Sequence, residues 1–199
     1  MQKPLRVGVL ISGRGSNLKA LIDAAQSETF PAQIVCVLAN RADAGGLDHA
    51  RDAGIPAHTI PHKDYDERRD FEQALTRSLA DHRVDLVCLA GFMRLLSGDF
   101  VRHWQGRLIN IHPSLLPAYK GLDVHRRMIE DAAKIAGCTV HYVTEDMDAG
   151  PIIDQRAVPI LPDDTPDRLA ARILIEEHIL YPDCVRKIAE GKAPFDIGS

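Results

Sequence analysis

A chain of 199 residues, 45% hydrophobic and 26% charged, is long enough to bury one sizeable core and short for two, which predicts a single domain over residues 1–199. Its formal net charge of -4, with no basic run interleaved with aromatics, provides no electrostatic footprint for nucleic acid. The opening apolar run at 5–11 is too short to span a membrane and lacks a small-residue cleavage site, so it reads as a first strand and no membrane partner is expected.

From that strand onward, apolar runs of strand length alternate with amphipathic stretches. Strands are expected near 5–11, 33–39, 57–60, 85–90 and 107–112, with helices near 17–26, 45–53, 65–82 and 98–105 between them. Strands apolar along nearly their whole length, such as Val84-Asp85-Leu86-Val87-Cys88-Leu89-Ala90, suit a parallel sheet covered on both faces. The pattern predicts an α/β fold with a doubly wound, mostly parallel sheet. Past the fifth strand it changes to a loop over 113–121, a helix near 124–133, and strands near 137–143 and 152–158 joined by an acidic turn, which predicts a C-terminal antiparallel extension. Thr165-Pro166-Asp167 supplies an N-cap, a proline at the first helical position and an early acid for a long last helix running past Glu177. Pro182 is expected to kink or interrupt it. The four cysteines, Cys36, Cys88, Cys138 and Cys184, are far apart, with no Cys-x-x-Cys and no paired His at ligand spacing. No metal site or disulfide framework is expected, and a reduced, cytoplasmic protein fits.

Three segments carry candidate chemistry. Ser12-Gly13-Arg14-Gly15-Ser16-Asn17 follows the first strand and opens a helix, where free amides and close backbone approach favour a phosphate. Leu18 stands where a dinucleotide fingerprint has its third glycine, and no Gly-Lys-Ser/Thr follows, so neither a nicotinamide site nor a Walker loop fits. In Asn110-Ile111-His112-Pro113 strand alternation puts Asn110 and His112 on one face, with Pro113 ending the ladder. An amide able to hold a carbonyl oxygen beside an imidazole able to exchange a proton suits acyl transfer, although such a pair can also only satisfy local backbone. The turn Thr144-Glu145-Asp146-Met147-Asp148-Ala149-Gly150 holds three carboxylates. One of them, Asp148 by choice, stands to fix the His112 ring if the sheet brings the segments together. A solvated acidic turn is the bland alternative. His125, His141 and His178 are weaker candidates.

Taken together with Ala-Gly-Phe-Met-Arg-Leu-Leu-Ser at 90–97 and Glu-His-Ile-Leu-Tyr-Pro at 177–182, these motifs resemble the folate-dependent formyltransferases, and within them the branch that formylates glycinamide ribonucleotide. The likeness runs from the first strand to the last helix. It implies transfer of a formyl group from 10-formyltetrahydrofolate, as co-substrate, to the nucleotide's amine, with no metal and no covalent enzyme intermediate. It further implies that Asn110 holds the formyl oxygen, that His112 stabilises the oxyanion and shuttles the proton, and that Asp148 supports His112. Gly15, Ser16 and Asn17 match positions that cradle the nucleotide phosphate, and Glu177 matches a carboxylate that binds the ribose hydroxyls. Met93, Arg94, Leu95 and Leu96 match a folate-side segment whose backbone reads the pterin edge, with Asn110 and the turn Thr144, Glu145, Asp146, Met147 and Asp148 closing over that ring. Arg68 matches a cation near the folate glutamate tail. Arg14 and Ala118-Tyr119-Lys120-Gly121 depart from the usual pattern.

Two relatives of that branch and one other class are rivals. Formyltetrahydrofolate hydrolases share the Asn, His and Asp set but precede it with a regulatory domain, and methionyl-tRNA formyltransferases follow it with an RNA-binding one. A non-catalytic folate- or nucleotide-binding module would need that set to be broken, whereas all three residues are present. Small-molecule substrates are the expected partners, and the oligomeric state is left open.

Overall fold

The computed structural model describes residues 3–195. Its seven strands are β1 (Leu5–Ile11), β2 (Ala32–Ala39), β3 (Ala57–Thr59), β4 (Leu86–Leu89), β5 (Leu108–His112), β6 (Ile135–Tyr142) and β7 (Ile152–Pro159). They form one sheet in the order β3-β2-β1-β4-β5-β6-β7. The first five pair in parallel, and β5-β6 and β6-β7 pair antiparallel, which is the expected mostly parallel sheet with its antiparallel extension. The helices are α1 (Ser16–Ala25), α2 (Gly46–Asp52), α3 (Arg68–Asp81), α4 (Gly98–His103), α5 (Val124–Glu130) and α6 (Pro166–Ala189). No helix among the described residues is long and apolar enough to cross a membrane.

Alternation along the strands sorts the apolar residues into two layers. Val7, Val9 and Ile11 of β1 pack with Leu18 and Leu21 of α1, Leu47 of α2, Met128 of α5 and Ile173 and Tyr181 of α6. Leu10 of the same strand faces Phe71, Leu75 and Leu79 of α3, Phe100 of α4 and Trp104 at the end of that helix. Burial on both sides is why β1 carries no polar side chain from Val7 to Ile11. Cys36, Cys88, Cys138 and Cys184 are all free and buried, and burial pushes each thiol up to about 12, so they behave as small apolar side chains.

Two expectations need correction. The helix expected from 65 begins at Arg68, because His62–Asp64 forms a short 3-10 turn and Tyr65 and Glu67 are extended. Pro182 does not interrupt α6, which runs unbroken from Pro166 to Ala189. An interior proline costs about 3 kcal/mol. Leu180, Tyr181, Cys184 and Val185 around it are 0–1% exposed, and each fully buried large side chain contributes about 1.5–3 kcal/mol, which outweighs that cost. The start of α6 is as expected: the Thr165 hydroxyl accepts the Arg168 N–H at 3.3 Å, with Pro166 at the first turn.

The strand order reverses between β1 and β4, so the segments that leave their carboxyl ends diverge and open a crevice there. The glycine loop after β1, the 90–97 segment after β4, and Asn110 and His112 of β5 all lie at this edge.

Candidate active site

The glycine loop is built by close backbone approach. Gly15 has φ 74°, and a Cβ there would stand 2.6 Å from the Gly46 Cα. The Gly46 N–H donates to the Gly13 carbonyl at 3.0 Å, tying the loop to the start of α2. Helix α1 has no side-chain cap and no acid in its first turn, so its leading amides stay open to an anion. The loop borders a cleft of about 530 Å³ that Ser12, Asn40, His62, Met93, Arg14 and Arg94 also line. Arg14 and Arg94 are exposed there, so both add positive charge to the lining of the cleft.

Asn17 and Glu177 meet although 160 residues apart: the Asn17 Nδ2 donates to Glu177 Oε2 at 2.7 Å. The Asn17 side-chain donor is thereby directed at the carboxyl, leaving its backbone N–H for the loop. Burial raises the Glu177 carboxyl above its ordinary range and the Asn17 bond works against that rise. Among the described residues Asn17 Oδ1 is buried without a partner, a polar atom in need of a donor such as a ligand hydroxyl.

At β5, Asn110 is half-buried and His112 is 6% exposed, and the strand ends at His112 as Pro113 requires. His112 Nδ1 lies 3.5 Å from Asp148 Oδ2, and its Nε2 donates to the Tyr119 carbonyl at 2.9 Å. Asp148 has φ 48°, a left-handed conformation that Asp tolerates better than most residues, and its Oδ2 accepts the Gly121 N–H at 2.9 Å. The acidic turn thus folds back over the face carrying Asn110 and His112. Its other acids part company: Glu145 pairs with Arg102 of α4 at 2.6 Å, and Asp146 is exposed. Thr144 is half-buried and Met147 is exposed.

His141 belongs to this cluster, a position that sequence reasoning ranked low. The β5-β6 register sets it opposite Asn110. Its Nδ1 donates to the Tyr142 carbonyl at 2.9 Å, while Nε2 stands 3.4 Å from Asn110 Nδ2 and 3.7 Å from Asp148 Oδ1. Burial lowers its basicity, with the Tyr142 bond and the Asp148 charge acting in the other direction. Neutral and protonated on Nδ1, it offers Nε2 as acceptor and orients the Asn110 amide. Only the register reveals this, since alternation gives a residue's face and not its cross-strand partner.

In the segment after β4, Met93 and Leu95 are 71% and 64% exposed, so neither is core. Leu96 packs against the layer of α3 and α4. Arg68 opens α3, exposed, and among the described residues makes no hydrogen bond or ion pair with the other candidates. No group of three or more His, Cys, Asp or Glu side chains that could hold a metal ion occurs among the described residues.

The profile of the formyl transferase family matches residues 5–185. The phosphoribosylglycinamide formyltransferase of Escherichia coli (strain K12) is 44% identical over 188 residues, covering 94% of this chain and 89% of that protein. The crystal structure of glycinamide ribonucleotide transformylase 1 from Symbiobacterium toebii superposes with a TM-score of 0.93 at 48% identity, covering 96% of this chain and 90% of that one. The trifunctional purine biosynthetic protein adenosine-3 of Bos taurus is 49% identical over 189 residues, 95% of this chain but 19% of that protein, so the chain spans about a fifth of that animal relative. With the match running from β1 into α6 and taking in the glycine loop, the Asn-His strand and the acidic turn, this chain belongs to the formyl transferase family.

Proposed function

We propose that this chain is a phosphoribosylglycinamide formyltransferase, moving the formyl group of 10-formyltetrahydrofolate to the amine of 5-phosphoribosylglycinamide in purine biosynthesis. The observation that carries the reading is the pairing of His112 with Asp148 at the carboxyl edge of the sheet, with His141 linking Asn110 to the same carboxyl. The 44% identity to the enzyme of that name across 89% of its length supports the same substrates.

In this reading the nucleotide phosphate sits on the amides of Gly15, Ser16 and Asn17, and its ribose hydroxyls meet Glu177 and the free Asn17 Oδ1. The folate lies along Met93, Arg94, Leu95 and Leu96 beneath the turn Thr144, Glu145, Asp146, Met147 and Asp148, with its glutamate tail toward Arg68. Holding both substrates side by side supplies much of the rate. The amine nitrogen attacks the formyl carbon, and negative charge gathers on the formyl oxygen. Asn110, one N–H directed at His141, gives the other to that oxygen. The adduct collapses by breaking the bond to the folate nitrogen. That nitrogen takes a proton by way of His112 and the amine loses one, leaving formylated nucleotide and tetrahydrofolate. Asp148 holds the His112 ring and steadies the positive charge that develops on it as the proton passes. No step calls for a metal. Residues 1–199 act as one catalytic domain on small molecules in the cytoplasm, with no nucleic acid or membrane required.

The test is a spectrophotometric assay of tetrahydrofolate release from 10-formyltetrahydrofolate, with and without the nucleotide and with His112→Ala as control. Release only with the nucleotide, abolished in the variant, is expected. Release without it makes the protein a hydrolase, and no release with retained ligand binding makes it a binding module.

A further inference from the structure

Two buried polar side chains outside the reacting cluster grip the segment between β4 and α4 at its ends. Ser12, 7% exposed, accepts the Met93 N–H at 2.7 Å and donates to Asn40 Oδ1 at 2.6 Å. Glu72, 5% exposed on α3, accepts the Ser97 N–H at 2.7 Å with one oxygen and the Ser97 hydroxyl with the other. Ser97 in turn caps α4, accepting the Phe100 N–H at 3.3 Å. Between these grips the backbone N–H groups of Arg94, Leu95 and Leu96 have no protein partner among the described residues.

A buried carboxyl is costly unless hydrogen bonds replace its water. Glu72 directs both oxygens at a single loop residue, and the packing of α3 does not require that arrangement, since Phe71, Leu75 and Leu79 carry its apolar face. What the two bonds fix is where the preceding loop ends. Ser12, the first residue of the glycine loop, holds that segment's other end at Met93.

We propose that Glu72 and Ser12 are positioning residues for folate binding, holding residues 93–97 at both ends so that the free backbone groups of Arg94, Leu95 and Leu96 stand ready for the pterin edge. The proposal rests on the reading of 93–96 as the folate-side segment. A heteroaromatic edge with alternating donors and acceptors needs several backbone groups in register at once. A loop held at both ends meets that need without the entropy loss of ordering on binding. Neither residue touches the reacting atoms, so both act on folate affinity and not on the chemical step.

The experiment compares wild type with Glu72→Gln, which keeps size but replaces one acceptor oxygen by a donor, and Ser97→Ala, which removes the hydroxyl from the other side of the same bond. Steady-state constants for both substrates are measured, together with amide hydrogen exchange at 94–96 with and without tetrahydrofolate. Expected are a rise of about tenfold in KM for the folate, a nucleotide KM within about twofold and a kcat within about threefold, with weaker protection of the 94–96 amides by tetrahydrofolate in the variants than in wild type. Equal rises in both KM values with a lowered thermal midpoint reduce Glu72 to a structural role and overturn the proposal, as does an unchanged folate KM in both variants. Wild-type amides at 94–96 that tetrahydrofolate leaves unprotected overturn the reading of the segment as well. Protection that is equal in wild type and Glu72→Gln, with equal KM, overturns the positioning role alone.

Discussion

Asp148→Asn isolates the charge at the centre of the cluster. Asparagine tolerates the left-handed conformation that position 148 adopts at φ 48°, and its Oδ1 still accepts the Gly121 N–H, so the turn keeps its shape. What is lost is a negative charge 3.5 Å from His112 Nδ1. Two full charges at that distance interact by about 4 to 5 kcal/mol at an effective dielectric of about 20. The imidazole carries only part of a charge in the transition state, and the carboxyl is 13% exposed. Halving the figure for both reasons leaves about 2 kcal/mol, or about 30-fold in rate. The expected outcome is a kcat about 30-fold below wild type at saturation with both substrates, and a nucleotide KM within about twofold. The thermal midpoint should stay within about 3 °C, corresponding to about 1 kcal/mol for a chain of this size. A kcat within about threefold of wild type, or a loss that appears wholly in the nucleotide KM, would refute the role of Asp148 in the chemical step.

Three further outcomes follow from other parts of the structure. Gly15→Ala meets both a φ of 74° and a Cβ position 2.6 Å from the Gly46 Cα; the left-handed backbone alone costs about 1–2 kcal/mol, so isothermal titration with the nucleotide should show at least about tenfold weaker binding while tetrahydrofolate binding is kept. Tyr181→Phe removes a buried hydroxyl that donates to the Leu89 carbonyl at 2.9 Å and lies 3.3 Å from that of Ile109; a loss of about 1–2 kcal/mol should lower the midpoint by about 3–6 °C in calorimetry, and a change below about 1 °C would count against that bond. His141 has its basicity lowered from 6.5 by burial, so in the window between that depressed value and 6.5 the unfolded chain binds a proton that the native chain does not. Its contribution is present above pH 6.5 and is lost as the pH falls, by at most about 1.4 kcal/mol per pH unit. Urea midpoints of His141→Gln should therefore fall less steeply with acid than those of wild type, and parallel curves would contradict this.

Much of the architecture is legible in the chain because the parallel strands are buried on both faces. The apolar runs that end at Ile11 and His112 coincide with β1 and β5, since two-sided burial and Pro113 leave those segments no other stable conformation. The cap of α6 follows from Thr165 and Pro166 alone, because capping is a local hydrogen bond. The glycine loop and the shared face of Asn110 and His112 follow from local geometry in the same way. Where an element starts within a polar stretch is harder: α3 begins at Arg68 because Tyr65 and Glu67 take extended backbone, which nothing in Asp-Glu-Arg-Arg announces.

What joins those pieces depends on the assembled sheet. Antiparallel pairing of β5 with β6 brings His141 opposite Asn110, and no period in either strand encodes that register. The return of Asp148 to His112 and the contact of Asn17 with Glu177 link residues far apart in the chain. The hold of Glu72 on Ser97 is of the same kind. Side-chain type and alternation set what each segment can do and which way it faces, because those depend on near neighbours along the backbone. Which groups then meet is decided by strand order and register, through hydrogen bonds that form only after distant segments have packed together.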